Sequence, residues 1–149
     1  MESREKTKET VIHIRVPNLA ESASVVRHQL NDLGIKNNGN KVLIGDLLLA
    51  VGEAFANAVE HGKSEKPIEI EARVLDGVIT VDILDHGIGF AMEIHPQQAD
   101  PLSERGRGLA LMGMLTESCT VASAPGWGAR VTIQTRLNKE TEGKNTTEV

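Results

Sequence analysis

Glu53, Asn57 and His61 stand at intervals of four residues. Four residues advance a helix by about 400°, so the three side chains line one helical edge. An acid there can serve as a base, and a neutral amide can offer an oxygen to a hard cation. An imidazole just before Gly62 can cap the helix end, where positive charge is favoured. The same residues also suit an interior hydrogen-bond network or a solvated stripe, because a carboxylate on an apolar helix is costly without a partner. A second group follows: Asp85, Gly87 and Gly89 alternate directly after an apolar run ending at Leu84. Its glycines allow positive φ and close approach of a ligand to the backbone. Asp85 is placed to accept a hydrogen bond from an amino group such as that of adenine. An ordinary glycine turn fits this segment too. A calcium loop does not, since the alternating acidic positions are missing. The third group is Glu104, Arg105, Gly106, Arg107, Gly108 and Leu109. A glycine-rich approach to a helix N-terminus is a ready anion site, and the two arginines add charge. The segment lacks the Gly-Lys-Ser/Thr of a P-loop. Its glycines, with Gly113, miss the dinucleotide-binding spacing and come too late in the chain. The three groups describe a site for a nucleotide and its metal, with a carboxylate that can work on a hydroxyl.

These residues need a scaffold. Residues 11–16 alternate, with Ile12, Ile14 and Val16 on one face, and predict a half-buried strand ended by Pro17. Residues 20–33 predict an amphipathic helix on Val26, Leu30 and Leu33, with Gly34 as its stop. Asn40 is a cap for a long helix over 41–61, closed by Gly62. That helix carries Val42, Leu43, Ile44, Leu47, Leu48, Leu49 and Val51 around most of its circumference, and is predicted to be the most buried. Residues 67–75 and 78–84 form a hairpin about Asp76-Gly77. Residues 91–104 read as an irregular flap, 108–116 as a helix, and 118–122 with 129–136 as a last hairpin. This order predicts a two-layer α+β sandwich: a mixed, mostly antiparallel sheet with three helices on one face. The first strand is a candidate sheet edge.

A chain of 149 residues is read as one domain over 10–137, with a flexible segment at 1–9 and a disordered tail at 138–149. The net charge of −5 offers no basic excess to displace counterions, which argues against direct nucleic-acid binding. Two phenylalanines, one tryptophan and no tyrosine give little for bases to stack on, so a purine would be held by aliphatic walls and hydrogen bonds. The single cysteine, Cys119, lies in an apolar run and reads as core. No apolar leader is visible, and the longest uninterrupted apolar run, at 47–51, is too short to cross a bilayer. A cytoplasmic protein without a membrane partner is the expectation.

The order and spacing of the three groups resemble the ATPase domain shared by gyrase-type topoisomerases, the ninety-kilodalton heat-shock chaperones, histidine kinases and mismatch-repair proteins. Within that superfamily the chain is most similar to the small anti-sigma-factor serine kinases of bacterial stress and sporulation switches. The likeness rests on the Glu53, Asn57, His61, Gly62 box and the Glu104-Arg105 approach to the last helix, and covers roughly residues 10–136. It implies the histidine-kinase-like ATPase (Bergerat) fold, with ATP and magnesium as ligands. It implies Glu53 as general base, Asn57 on magnesium, and Asp85 on the adenine amine, with Gly87 and Gly89 shaping the pocket. Gly106, Arg107, Gly108 and Leu109 would wrap the phosphates by backbone amides, with 91–104 as the lid. Arg105 would lie between nucleotide and protein partner. Two departures stand out. Glu60 lies near the position where histidine kinases usually carry Lys, which suits a serine kinase better. Ala129 stands where many members have a Thr that helps fix adenine, leaving Thr132 as the substitute hydroxyl.

The function implied is transfer of the γ-phosphoryl group of ATP to a serine of a small anti-sigma-factor antagonist, together with binding and inhibition of a sigma factor. Two other readings remain beside it. One is a kinase of the same build in a partner-switching complex without a sigma factor. The other is a non-catalytic module that holds nucleotide only for structure. A homodimer is implied by the family likeness alone.

Overall fold

The computed structural model describes residues 8–62, 64–87, 92–94, 104–124 and 126–138. Of the segments expected to be flexible or disordered, 1–9 and 138–149, all but residues 8, 9 and 138 lie outside it, as does most of the expected flap, and Glu9 opens the first strand. The chain runs β1 (Glu9–Val16), a 3-10 turn (Ala20–Ser22), α1 (Ala23–Lys36), α2 (Lys41–Gly62), β2 (Ile68–Leu75) and β3 (Val78–Asp85). It continues through β4 (Met92–Ile94), α3 (Glu104–Leu115), β5 (Ser118–Ala124) and β6 (Gly128–Arg136). Among the described residues these strands form one six-stranded sheet in the order β1-β2-β3-β6-β5-β4.

Every described strand pairing is antiparallel, so the parallel neighbour implied by a mixed sheet does not occur among them. The crossovers explain why. The α1–α2 pair carries β1 to an antiparallel place beside β2, and α3 does the same between β4 and β5. The β2–β3 turn uses Asp76 and Gly77, both at positive φ (53° and 76°). That is the backbone a two-residue hairpin turn requires.

Alternation along the strands sends one row of aliphatics under the helices. Ile68, Ile70, Ala72 and Val74 of β2 are buried, as are Ile79, Val81 and Ile83 of β3 and Val131 and Ile133 of β6. The other face of the sheet carries no helix among the described residues. It is polar, with the cross-strand row His13, Glu71, Asp82, Thr132 and Thr120. Three helices cover the first face: α2 packs on β3 and β6, with α1 and α3 against it. Its inward positions Ile44, Leu47, Ala50, Val51, Ala54, Phe55 and Ala58 are all buried. Residues 41–60 are long and apolar enough to match a membrane span in composition, which a count of uninterrupted apolar residues overlooks. Packing against the sheet and both neighbouring helices accounts for that apolar side.

Helix ends differ from expectation where glycine was read as punctuation. Gly34 lies inside α1, which runs on to Lys36. A Cβ at Gly34 would come within 2.9 Å of Ile44 Cδ1, so this glycine serves packing against α2. The stop is made by Asn38 at φ 59°, with Gly39 N–H donating to the Gly34 carbonyl and Asn38 N–H to that of Ile35, a Schellman ending. Asn40 caps α2 as expected: its Oδ1 accepts from the N–H groups of Val42 (2.8 Å) and Leu43 (3.1 Å). Three residues of the expected flap form β4, an edge strand on β5. The last helix starts at Glu104, earlier than expected, because no proline or strong breaker separates that residue from Leu115.

Cys119 is buried in β5, and burial pushes its thiol up from 9.0 to about 11. The thiol should resist alkylation at pH 8 in the native protein and label fully in denaturant. Between pH 9 and 11 the unfolded thiol ionises while the folded one stays neutral, so this group's contribution to stability is lost as pH rises through that window. Denaturation of wild type against Cys119→Ala should show the wild type losing more stability there.

Candidate functional site

The connections bring the three sequence groups to one end of the sheet. β2 pairs with β3 so that Glu69 faces Leu84, which sets Ile68 beside Asp85. Five residues separate Gly62, the end of α2, from Ile68. The C-terminal half of α2, with Glu53 and Asn57, therefore lies over the end of β3 that carries Asp85. The N-terminus of α2 is fixed at the opposite end, where Asn40 N–H donates to the Leu137 carbonyl and Leu137 N–H to that of Gly77. α3 ends two residues before β5, and β5 begins at Ser118 opposite Gln134, at that same far end. The N-terminus of α3, with Arg105 to Leu109, then points toward the Asp85 end.

Glu53 and Asn57 are both half-buried. Among the described residues neither side chain has a hydrogen-bond or ion-pair partner. The interior network considered as an account of this edge is therefore not formed among the described residues, and both polar groups remain accessible from outside the core. The His61 side chain lies outside the described residues, and so does the question of its capping.

Asp85 is buried at the end of β3, at 8% exposure. Its Oδ1 accepts the Gly87 N–H at 2.9 Å, which closes a tight turn and leaves Oδ2 to accept from a ligand amine. The next residue, His86, meets Glu69 Oε2 at 3.0 Å through Nε2, tying the loop to β2. The sequence reading did not find this tether, because it joins residues 17 apart across two strands. Gly89 lies outside the described residues.

The wall opposite Asp85 is β6. Ala129 is the Cα partner of Asp85, and Ser123 of β5 is the partner of Ala129, so all three share one face. Thr132 does not substitute for a hydroxyl at 129. It sits three positions on, its Oγ1 donates to Asp82 Oδ1 at 2.5 Å, and that pair faces the open side of the sheet. Ser123 Oγ donates to the Gly128 carbonyl at 2.5 Å, bracing the hairpin end. Gly128, at φ 85°, passes so close to the Asp85 backbone that a Cβ would lie 2.1 Å from the Asp85 carbonyl oxygen. Sequence reasoning reads this glycine only as part of the turn of the last hairpin, because a close approach to another strand leaves no local signal.

At the third group the structure corrects the reading of a loop. Residues 104–109 already form the first half of α3. The N–H groups left open at a helix start are those of its first four residues, here 104–107. Gly108 and Leu109 fall inside the helix, where their N–H groups can bond within it, so amides offered to an anion would come from Glu104 through Arg107. The side chains of 104–109 lie outside the described residues.

A groove of about 380 Å³ opens on the other face of the sheet, lined by residues that include His13, Glu69, Asp82 and Arg130. None of Glu53, Asn57 or Asp85 borders it, and it is separate from the candidate site.

A half-buried acid and amide, a buried carboxylate with one free oxygen, and a helix start are thus gathered at one end of an α+β domain. Residues 16–135 match the family model for the histidine kinase-like ATPase domain, and the chain belongs to that family. Use of ATP comes with that membership. A relative in Staphylococcus aureus, the serine-protein kinase RsbW, is 32% identical over 134 residues, covering 81% of this chain and 84% of that protein. The anti-sigma F factor of Clostridium beijerinckii is 31% identical over 103 residues, covering 64% of this chain and 72% of that protein. A crystal structure of the RsbU and RsbW domains of a Mycobacterium tuberculosis protein aligns with a TM-score of 0.69 at 25% identity, over 87% of this chain and 33% of that one. The present chain thus spans about a third of that longer protein. The histidine kinase domain of a blue-light-activated kinase from Erythrobacter litoralis shares the fold, with a TM-score of 0.51 at 19% identity over 81% of this chain and 61% of that one.

The close approach at Gly128 gives a direct test. Gly126→Ala places a Cβ at φ 83° in open space and should cost about 1 kcal/mol. Gly128→Ala must displace the Asp85 backbone as well and should cost more than about 3 kcal/mol. Chemical denaturation of the two variants measures the difference.

Proposed function

We propose that this chain is an ATP-dependent protein-serine kinase that phosphorylates a small anti-sigma-factor antagonist and also binds and inhibits a sigma factor. The observation that carries the reading is the pair Glu53 and Asn57, half-buried and without partners among the described residues. They stand over the sheet end where Asp85 and the start of α3 converge. The names of the relatives, a serine-protein kinase and an anti-sigma F factor, supply the substrate and partner classes.

In this reading the free oxygen of Asp85 accepts the adenine amine, and the turn closed on Gly87 holds that carboxylate still. Gly87 and Gly89 keep the pocket wall free of side chains. The phosphates lie toward the α3 start, where open amides and the positive end of the helix favour anions. Arg105 and Arg107 add charge to that end, with Arg105 toward the protein partner. Asn57 would hold magnesium through its side-chain oxygen. Among the described residues no cluster of three His, Cys, Asp or Glu is available to a metal. Magnesium held by one amide together with phosphate and water oxygens fits its usual coordination. Bound there, it supplies charge neutralisation to the transferring group.

The serine hydroxyl of the antagonist approaches Glu53. Its oxygen attacks the γ-phosphorus, its proton passes to the Glu53 carboxylate, and the bond to the ADP oxygen breaks. Little more is required of the protein, since phosphoryl transfer depends mainly on positioning and charge. The reading carries a cytoplasmic location with it.

Glu53→Gln should lower transfer to the antagonist by about 100-fold or more while ATP affinity stays near wild type. Near-normal phosphorylation by this variant would rule out Glu53 as the base. Calorimetric titration of ATP with and without magnesium should show a magnesium-dependent component that Asn57→Ala loses. A component unchanged in that variant would remove Asn57 from the cation.

A further inference from the structure

One face of α2 is left uncovered by the described residues. Val42 and Leu49 are 66% and 54% exposed. Gly45 and Ala56 are exposed on the same side, with Gly52 and Glu53 half-buried beside them. Residues 42, 45, 49, 52, 53 and 56 fall within about 100° of arc on a helix of 3.6 residues per turn, opposite the buried stripe of Ile44, Leu47, Val51, Ala54 and Ala58. The stripe runs about 16 Å from Val42, at the far end of the sheet, to Glu53.

Among the described residues the glycines in it have no use inside the fold. Gly34 and Gly39 are needed because a Cβ at either would collide with Ile44. Gly77, Gly126 and Gly128 are needed for positive φ. Gly45 and Gly52 have neither reason: their φ is not positive, and a Cβ at either meets nothing within 4 Å. Glycine is a poor residue in a helix interior. Two of them, seven residues apart on an exposed apolar face, lower the stability of α2 and leave room for another backbone to come close. The surface they make continues without a break into Glu53.

We infer that this stripe is the docking surface for the protein that bears the acceptor serine. The inference rests on the kinase reading above. If Glu53 takes the proton of a protein serine, the polypeptide carrying that serine must lie against α2 beside Glu53, and Val42, Gly45 and Leu49 are the adjoining free surface. The surface fits a partner that presents small or aliphatic side chains next to its serine and packs its backbone over the glycines.

The test uses the full chain and an anti-sigma-factor antagonist from the same genome, as wild type and with its acceptor serine changed to alanine. Gly45→Gln should raise the Tm, because glutamine is the better helix former and has open space. Leu49→Lys should leave the Tm unchanged. Both should keep ATP affinity, weaken binding of the serine-to-alanine antagonist by at least about tenfold, and raise KM for the wild-type antagonist with kcat kept at saturation. Unchanged antagonist affinity in both variants overturns the inference. So does a lower Tm for Leu49→Lys, which would put the stripe under this chain's own residues. So does a wild-type dimer that Leu49→Lys dissociates without loss of antagonist binding, which would make a second copy the occupant. Binding without phosphoryl transfer in the wild type would defeat the kinase reading alone, and the affinity comparison would still decide the docking surface. No binding of either antagonist by the wild type would defeat both.

Discussion

The burial of one side of α2 against the sheet is the constraint on which the site depends. A helix of 22 residues whose inward positions are aliphatic or small has one favourable orientation on that surface. Its rotation follows from Leu47, Val51, Phe55 and Ala58 facing inward, and its axial position from the Asn40 N–H bond to the Leu137 carbonyl at one end and the short link to Ile68 at the other. Once those are set, Glu53 and Asn57 have no freedom in where they stand. The apolar packing meets the cost of holding two polar side chains half out of water with no partner among the described residues. A site whose groups are rigid before the ligand arrives loses little entropy on binding it.

A second rigid element faces the first. β3 is paired with β6 over its full length, and Gly128 lets the end of β6 run against the backbone at Asp85 and His86. His86 is held from the other side by Glu69. The Asp85 loop is thus pinned by backbone contact, by its own Asx hydrogen bond to Gly87, and by one surface contact between His86 and Glu69. The third is exposed and contributes little by itself. The row Asp85, Ala129 and Ser123 shows that the wall beside the carboxylate is a methyl group. Any ligand amine at Asp85 is oriented by that carboxylate and the turn, without help from a hydroxyl at 129.

What could be read in the chain beforehand follows a physical pattern. Elements set by local chemistry were legible: the Asn40 cap, the Asp76-Gly77 turn, the stripe of Val26, Leu30 and Leu33, and the alternation of β2 and β3. The polar edge of α2 was legible because helical periodicity alone puts Glu53 and Asn57 together. The errors lie where a residue's reason is tertiary. Gly34 looked like a stop, yet it makes room for Ile44 from another helix. Gly128 looked like part of a turn, yet it makes room for the backbone of β3. Thr132 looked like a spare hydroxyl near the pocket, but strand alternation turns it to the other face. Gly106 looked like loop and Gly108 like the start of the helix, but the helix begins at Glu104 and runs through both. Val42 and Leu49 looked like core because the helix is apolar nearly all round, and only the packing reveals which side has neighbours.

Those last two residues carry the comparison furthest. A soluble fold gains nothing from aliphatic side chains and bare glycines on an outward helical face, since the first add sticky surface and the second weaken the helix. The inward face of α2 is complete without them. Glu53 lies on the boundary between the two faces, where a group must be if it is to be steadied by the core and still meet a large substrate. On the kinase reading proposed above, nucleotide would lie on the side of Asp85 and Asn57, and a protein substrate would come from the remaining side. A single helix can in this way divide its circumference among the core, a small ligand and a macromolecule, and the features that look wasteful within the fold mark the third sector.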